Sequence, residues 1–145
     1  MELFLDTANV EEIREIARWG VIRGVTTNPK IFSKENADLR TRVDEILSIV
    51  PGPLSVEVTT NDLDEMIVEA QRFATWSEHI VVKLPMSPAG LEAASILRRQ
   101  NIKTNVTAVM TVGQAMLAAL AGATYASIFY SRIFNGVVQK RRSEA

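Results

Sequence analysis

Residues 80–88 read IVVKLPMSP, and this stretch contains the unit from which the fold is built. Its first part, Ile80–Leu84, is a mostly β-branched apolar run with the length of a buried strand and one lysine inside it. Its second part is a helix start, because Ser87 is a favourable N-cap residue and Pro88 follows at the first helical position. The stretch therefore predicts a strand joined to a helix by a very short connection.

The same unit recurs along the chain. Six apolar runs predict strands, at Leu3–Leu5, Val21–Val25, Leu54–Val58, Ile80–Leu84, Ile102–Val106 and Tyr125–Phe129. Helix starts are predicted at Asn9, Asn61, Ser87 and Thr111, and a helix end at Gly122. Alternating strands and helices with short connections imply a parallel sheet. Length alone favours an open doubly wound sheet, because a closed eight-stranded barrel usually needs about 200 residues or more.

Composition limits the classes of function. The 145 residues are 47% apolar and 23% charged, which fits one soluble globular domain. A net charge of -1 offers no general attraction for nucleic acid or an acidic membrane surface. We find no basic leader and no apolar stretch long enough to span a bilayer, so a cytoplasmic protein is expected.

Metal and cofactor sites lack support in the sequence. The chain has no cysteine and a single histidine, which excludes disulfides, thiolate metal sites and multi-histidine metal sites. The glycine-rich loops of dinucleotide and nucleotide sites and the H-E-x-x-H pair of zinc proteases do not occur either. We therefore expect no metal and no cofactor, and chemistry carried by lysine, carboxylates and hydroxyls.

Polar residues stand at the end of every predicted strand. In chain order they are Asp6; Thr26, Thr27 and Asn28; Glu57; Lys83; Asn105 and Thr107; and Ser127 with Arg132 nearby. The carboxyl ends of parallel strands lie on one face of the sheet, where catalytic and binding groups collect. The pattern predicts one active site assembled from six strands.

Lys83 is the strongest candidate for a catalytic group. Burial disfavours the charged form of an amine, and a neutral amine is a nucleophile. An amine that attacks a ketone gives an iminium, which withdraws electrons from the neighbouring carbon and allows a carbon–carbon bond to break. The alternative is a structural ion pair between Lys83 and Glu57 or Asp6.

The other candidates have alternatives of the same kind. Asp6 and Glu57 could share proton transfer, although Asp6 could equally cap a helix. Thr107 could hold a water beside them or be an ordinary β-branched strand residue. Arg132 offers a planar fork of donors for a phosphate, while most single arginines are surface residues.

Four segments carry a family resemblance. They are LFLDTA at residues 3–8, GVTTNP at 24–29, VVKLP at 81–85 and KTNVT at 103–107. Together and in this order they resemble the signature segments of the small transaldolases and the related fructose-6-phosphate aldolases, up to about Ile133. The resemblance implies a parallel (β/α)8-barrel fold of the class I aldolase type with about six of the eight units present. Residues 1–145 would form one incomplete domain whose tail, residues 134–145, diverges from the family.

The resemblance also implies an activity. Small transaldolases move a dihydroxyacetone unit from a ketose phosphate such as fructose 6-phosphate to an aldose phosphate such as erythrose 4-phosphate, in the pentose phosphate pathway. Lys83 matches the Schiff-base lysine, Asp6 the proton-transfer acid, and Glu57 with Thr107 the pair that orients a water. Residues expected to bind the substrate are Thr27, Asn28, Asn105, Ser127, Phe129 and Arg132.

Two positions indicate the transaldolase branch. In the aldolases the residue matching Glu57 is usually glutamine and the residue matching Phe129 is usually tyrosine. Six units would leave two strand edges unpaired, so a homo-oligomer or another partner is expected to cover them. A fructose-6-phosphate aldolase and a catalytically inactive remnant of a transaldolase are the alternative interpretations.

Overall fold

A computed structural model describes residues 1–27 and 38–135. Its strands are β1 (Leu3–Asp6), β2 (Ile22–Thr26), β3 (Leu54–Glu57), β4 (Ile80–Pro85), β5 (Thr104–Val109) and β6 (Tyr125–Ile128). Its helices are α1 (Val10–Ala17), α2 (Leu39–Ile49), α3 (Leu63–Ala74), α4 (Pro88–Arg99) and α5 (Val112–Ala121). Residues 130–135 are also helical. All six predicted strands are confirmed, with ends that coincide or are shifted by at most three residues.

The sheet is parallel, and its strand order is the chain order from β1 to β6. A doubly wound sheet reverses its strand order at a switch point and carries helices on both faces. No reversal occurs among the described strands, so the open doubly wound alternative is wrong. The structure is the half-barrel of a (β/α) fold, as the family resemblance implied.

Side chains alternate between the two faces of this sheet. Val25, Val56, Val82 and Val106 belong to the buried core that also contains helix residues such as Phe73. The opposite, concave face is polar toward its carboxyl end, where Glu57, Lys83 and Asn105 stand at neighbouring register positions. The strands thus separate an apolar core from the face on which chemistry is possible.

One aromatic contact joins the first strand to the last across the concave face. The ring of Phe4 on β1 and the ring of Tyr125 on β6 meet edge to face, with centroids 5.7 Å apart. β1 and β6 are not neighbours in the sheet. The contact therefore shows that the sheet curls strongly enough to bring its two edges close together.

The helix caps follow the sequence with one exception. Asn9 and Ser87 cap α1 and α4, Thr111 and Gln114 form a reciprocal capping box on α5, and Gly122 ends α5 at φ 85°. The prediction for α3 was wrong by one residue. The helix begins at Leu63, so Asp62 is its N-cap residue. The Asp62 side chain accepts hydrogen bonds from the free backbone N–H groups of Asp64 and Glu65 in the first turn.

Helix α5 exposes an unusual amount of apolar surface. Val112, Met116, Leu117 and Leu120, called here the apolar stripe, are 50 to 78% exposed. The edge strand beside α5 contributes the exposed Ile128. Apolar patches of this kind commonly mark protein–protein contacts. Within the described residues no helix has both the length and the hydropathy needed to cross a membrane.

Candidate active site

A cavity opens at the carboxyl ends of the strands, on the concave face of the half-barrel. Its volume of about 910 Å³ lies within the range of small-molecule sites. Seven of the predicted site residues line it, namely Asp6, Glu57, Lys83, Thr107, Ser127, Phe129 and Arg132. These side chains therefore lie around one cavity at the carboxyl end of the sheet, and their roles there stay predictions.

Lys83 lies on the wall of the cavity with most of its side chain buried. Its residue exposure is 6%, and its Nζ lies 3.3 Å from Oε2 of Glu57. The same Nζ donates a hydrogen bond of 3.1 Å to the backbone oxygen of Thr27. The expected ion pair with Glu57 therefore exists, and within the described residues the lysine has no ion pair with Asp6. A carboxylate beside a buried amine can stabilise its charge and can also accept its proton.

Asp6 is an exposed carboxylate that lines the same cavity. Its Oδ1 accepts a hydrogen bond of 2.8 Å from Oγ1 of Thr26 on the adjacent strand. The cap of α1 is Asn9, whose side chain accepts from the backbone of Glu11 and Glu12. The helix-cap alternative for Asp6 is wrong, because the helix begins too far along the chain for Asp6 to reach it. The carboxylate stays available to the cavity.

The hydroxyl of Thr107 is buried and has no hydrogen-bond partner among the described residues. Leaving a buried hydroxyl unsatisfied costs about 1–3 kcal/mol. A second such hydroxyl, that of Thr104, lies on the same strand outside the cavity wall. Thr107 differs from it because the residue lines the cavity that Lys83 also lines, although the unpaired oxygen itself is buried.

A chain of polar side chains crosses the concave face on β3, β5 and β6. Oγ of Ser127 donates to Oδ1 of Asn105 at 2.9 Å, and Nδ2 of Asn105 donates to Oγ of Ser55 at 3.2 Å. These two hydrogen bonds hold the amide of Asn105 in place. The residue is 3% exposed and does not line the cavity. Sequence reasoning missed Ser55. Its signal was its spacing of two from Glu57, which places both side chains on one face of a strand.

The rim of the cavity carries Phe129 and Arg132. The guanidinium carbon of Arg132 lies 4.7 Å from the centre of the Phe129 ring, which is a cation–π contact. Within the described residues Arg132 makes no ion pair with a carboxylate. An exposed, unpaired guanidinium at the mouth of a cavity can bind an anion.

The remaining predictions have different outcomes. Thr27 is fully buried outside the cavity wall, where its Oγ1 donates to the backbone oxygen of Ser55 at 2.8 Å while its own oxygen accepts from Lys83. Asn28 lies outside the described residues. Residues that line the cavity without having been predicted include Pro85, Ala108, Tyr130 and Ser131. Tyr130 and Ser131 follow the last strand directly, and that position was their only signal.

Comparison with known proteins gives a consistent picture. The sequence model of the transaldolase/fructose-6-phosphate aldolase family matches residues 3–145. A probable transaldolase of Streptococcus equi subsp. equi is 52% identical over 133 residues, which are 92% of this chain and 62% of that protein. A probable transaldolase of Petrotoga mobilis is 51% identical, again over 92% of this chain and over 60% of that protein. The chain thus spans about three fifths of the length of the curated relatives it matches.

A solved structure supports the fold alone. The carboxyl transferase domain of Rhizobium etli pyruvate carboxylase superposes with a TM-score of 0.58 at 19% identity. The superposition covers 83% of this chain and 24% of that chain. At this identity the likeness extends to the arrangement of strands and helices and to nothing in the site.

Proposed function

The chain belongs to the transaldolase/fructose-6-phosphate aldolase family, and from this membership we propose that it transfers a dihydroxyacetone unit between sugar phosphates. The proposed donor is fructose 6-phosphate and the proposed acceptor is erythrose 4-phosphate, as in the pentose phosphate pathway. One observation carries the proposal. A largely buried lysine amine lines a cavity of ligand size, 3.3 Å from a carboxylate, and the same cavity is lined by Thr107, whose buried hydroxyl has no partner among the described residues.

The first half of the reaction uses Lys83 as the nucleophile. Glu57 accepts the proton of the ammonium, and Nζ then attacks the C2 carbonyl of the donor. The adduct loses water to form an iminium, which draws electrons from the C3–C4 bond. Asp6 takes the proton from the C4 hydroxyl as this bond breaks, and glyceraldehyde 3-phosphate leaves. An enamine of the three-carbon unit remains bonded to Lys83.

The second half returns that unit to an acceptor. The enamine carbon attacks the aldehyde of erythrose 4-phosphate, and the new alkoxide takes a proton from Asp6. A water oriented by Glu57 and Thr107 hydrolyses the iminium and frees Lys83. We assign the phosphate of the substrate to Arg132, which is exposed and has no carboxylate partner in the described part of the chain. Ser127 and Phe129 line the same cavity as Arg132, and we assign them to substrate binding there.

Two further parts of the proposal concern assembly and location. We propose that the protein is a homo-oligomer, supported by the apolar stripe and by the sheet edges at β1 and β6, which pair with no further described strand. We also propose that it acts in the cytoplasm, where sugar phosphates are metabolised.

The Schiff base is tested by incubating the protein with fructose 6-phosphate and sodium borohydride and measuring the intact mass. We expect a reduced sugar adduct in the native chain and in Lys103→Ala, and none in Lys83→Ala. Lys103 is the matched control because it is exposed and its Nζ, within the described part of the chain, binds only the backbone oxygen of Glu78. An adduct that survives in Lys83→Ala would refute the assignment. No adduct in a folded native chain would favour the inactive-remnant interpretation.

The acceptor distinguishes the two enzymatic alternatives. Release of glyceraldehyde 3-phosphate from fructose 6-phosphate is followed with and without erythrose 4-phosphate. A transaldolase releases product at a sustained rate only when the acceptor is present, since the enamine otherwise stays on Lys83. Sustained release without acceptor would identify a fructose-6-phosphate aldolase, an outcome that Glu57 and Phe129 argue against.

A further inference from the structure

The ring contact between Phe4 and Tyr125 lies one layer below the cavity. Phe4 stands two residues before Asp6 on β1, and Tyr125 stands two residues before Ser127 on β6. Side chains two residues apart lie on the same face of a strand, about 6–7 Å from each other along it. Asp6 and Ser127 line the cavity, whereas Phe4 and Tyr125 do not. The two rings therefore lie on the concave face, directly beneath residues of the cavity.

Gly24 gives the ring of Phe4 its place in this layer. Gly24 stands beside Phe4 in the register of β1 and β2, so both residues lie on the same face of the sheet. A Cβ at Gly24 would collide with the Phe4 ring, which occupies the space that a side chain there would fill. The ring meets Tyr125 edge to face, a favourable arrangement for two aromatic side chains.

The contact attaches β1 to the far end of the sheet, and its other attachment to the centre is short. β1 reaches β3 through β2, whose described ladder with β3 contains two register pairs, Val25–Leu54 and Thr26–Ser55. The ladders of β1 with β2 and of β3 with β4 extend over the whole of β1 and β3. On the outer side α1 packs against α2. The contact with Tyr125 holds β1 from the inner side.

The groups around Lys83 do not depend on β1. Lys83 and Glu57 form their ion pair on β4 and β3, which are joined along the whole of β3. Thr27, which accepts a hydrogen bond from Lys83, is itself fixed to β3, because its backbone N–H and its hydroxyl both donate to the backbone oxygen of Ser55. Asp6 lies on β1, outside this group. A shift of β1 would move Asp6 relative to Lys83 and leave the partners of Lys83 in place.

We propose that Phe4 and Tyr125 are positioning residues, whose ring contact holds Asp6 at its place relative to Lys83 across the cavity. The proposal rests on the proposed function for the step it affects. In that step the electron pair of the C3–C4 bond passes to the iminium, and Asp6 takes the proton of the C4 hydroxyl. A displacement of about 1 Å can lower the rate of such a step about 100-fold. Loss of either ring should therefore slow the cleavage, while the Schiff base still forms on Lys83.

The kinetic test measures the two steps separately in Tyr125→Leu and Phe4→Leu. Formation of the Schiff base is the rate at which borohydride traps adduct of any length with fructose 6-phosphate. Cleavage is the first release of glyceraldehyde 3-phosphate in the absence of acceptor. We expect release to fall about tenfold or more, and adduct formation to stay close to that of the native chain. Unchanged release, or equal losses in both steps in variants that still melt cooperatively, would overturn the proposal.

Trp76→Leu is the matched control for the loss of a ring. Trp76 is half-buried, as Tyr125 is, and its ring packs on Phe73 outside the cavity. We expect both steps to proceed at native rates in this variant. Slower release with normal adduct formation in Trp76→Leu would show a general effect of lost packing and would overturn the proposal.

Two further variants test whether the rings act as one contact. Phe4→Leu/Tyr125→Leu is expected to lose no more cleavage rate than the more affected single variant, because residues that act as a unit are not additive. Multiplied losses would contradict the role of the contact. Tyr125→Phe keeps the ring and is expected to release product as the native chain does. A loss of release in Tyr125→Phe would assign the effect to the phenol hydroxyl and would also overturn the proposal.

A distance measurement gives a readout that needs no turnover. The chain has no cysteine, so spin labels can be attached to cysteines substituted for Leu3 and Ala126, which are the exposed neighbours of the two rings. We expect the distribution of label distances to broaden in Tyr125→Leu and to stay as in the native chain in Trp76→Leu. An unchanged distribution in Tyr125→Leu would refute the positioning role. A broadened distribution, together with no trapped adduct in the native chain, would instead refute the Schiff-base function and leave the role of the contact intact.

Discussion

The concave face carries buried polar side chains, which are unfavourable for stability but provide groups for chemistry. Lys83 keeps an amine among buried strands, and its charge is offset by Glu57 and the backbone oxygen of Thr27. Thr107 keeps a hydroxyl without any described partner. Lys83 is thus paired, whereas the Thr107 hydroxyl is not, and an unpaired buried polar group is unfavourable for stability. Their grouping on one wall is the residue-scale mark of a site.

Thr107→Val is predicted to raise stability while it lowers activity. Valine has nearly the shape of threonine and removes a buried hydroxyl that costs about 1–3 kcal/mol when unsatisfied. We expect the melting temperature to rise by several degrees, at roughly 2–4 °C per kcal/mol for a chain near this size. Calorimetry without substrate measures the effect. A lower melting temperature would mean that the hydroxyl already has a partner in the native protein.

Residue types and spacing predicted much of the site. Lys83 and Glu57 lie within predicted strands, and their side chains form the ion pair that the sequence offered as one alternative. Thr27 could not be placed, because its hydroxyl turns to the backbone of Ser55, a contact between strands that spacing within one strand does not reveal. The register shift between Val106 and Val109 on β5 could not be predicted from the sequence either, because it depends on how β5 pairs with β6.

At the scale of elements, the first turns of α4 and α5 show how tightly helices are joined to strands. Both helices begin directly after a cavity-forming strand, with Ser87 and Thr111 as caps. A glycine follows within the first turn of each, at Gly90 and Gly113. The two glycines differ in their surroundings, because Gly90 is buried against the end of β4 and Gly113 is exposed. They provide a matched pair for substitution.

Gly90→Ala is predicted to destabilise the protein and Gly113→Ala to stabilise it. A Cβ at Gly90 would collide with the backbone oxygen of Pro85, and such overpacking costs about 1–3 kcal/mol. A Cβ at Gly113 would meet only Oγ1 of Thr111 at 4.0 Å, so alanine gains roughly 0.5–1 kcal/mol over glycine in a helix. Chemical denaturation measures both changes. Equal effects of the two substitutions would contradict the argument.

Helix starts were readable from short local signals because caps act within four residues. Ser87 with Pro88 and Thr111 with Gln114 are confirmed as caps. Between Asn61 and Asp62 the sequence offered two residues of cap type, and the structure uses Asp62. The first turn of the helix determines that choice, and both side chains are chemically suitable for it.

At the scale of the molecule, the half-barrel has two edge strands, β1 and β6, that pair with no further described strand, and an exposed apolar stripe on α5. The apolar stripe belongs to α5, and the exposed Ile128 belongs to β6, which follows α5 in the chain and is the last strand of the sheet. Composition gave no sign of this arrangement, and length alone favoured an open doubly wound sheet. The family resemblance identified the curled sheet correctly, because it rests on the residues of four particular segments. The length argument uses only the number of residues.

Leu120→Lys is predicted to weaken self-association of the protein. Leu120 belongs to the apolar stripe and is 77% exposed, so a charge there would be buried unfavourably in any contact between copies. Val68→Lys is the matched control, since Val68 is 66% exposed on α3, away from the stripe. Sedimentation velocity compares the two variants with the native chain. Similar sedimentation of both variants would exclude the stripe as the contact surface.

The identity of strand order and chain order has a consequence for how the protein folds. Each strand pairs with the strand that precedes it in the chain, but each pairing must close a crossover connection, as between Leu54 and Ile80. Such parallel pairing forms slowly, and each new unit can add to the growing edge during synthesis. The contact between Phe4 and Tyr125 joins the first strand to the last and can form only when all six strands are in place. The environment of that tyrosine would report the final step of folding.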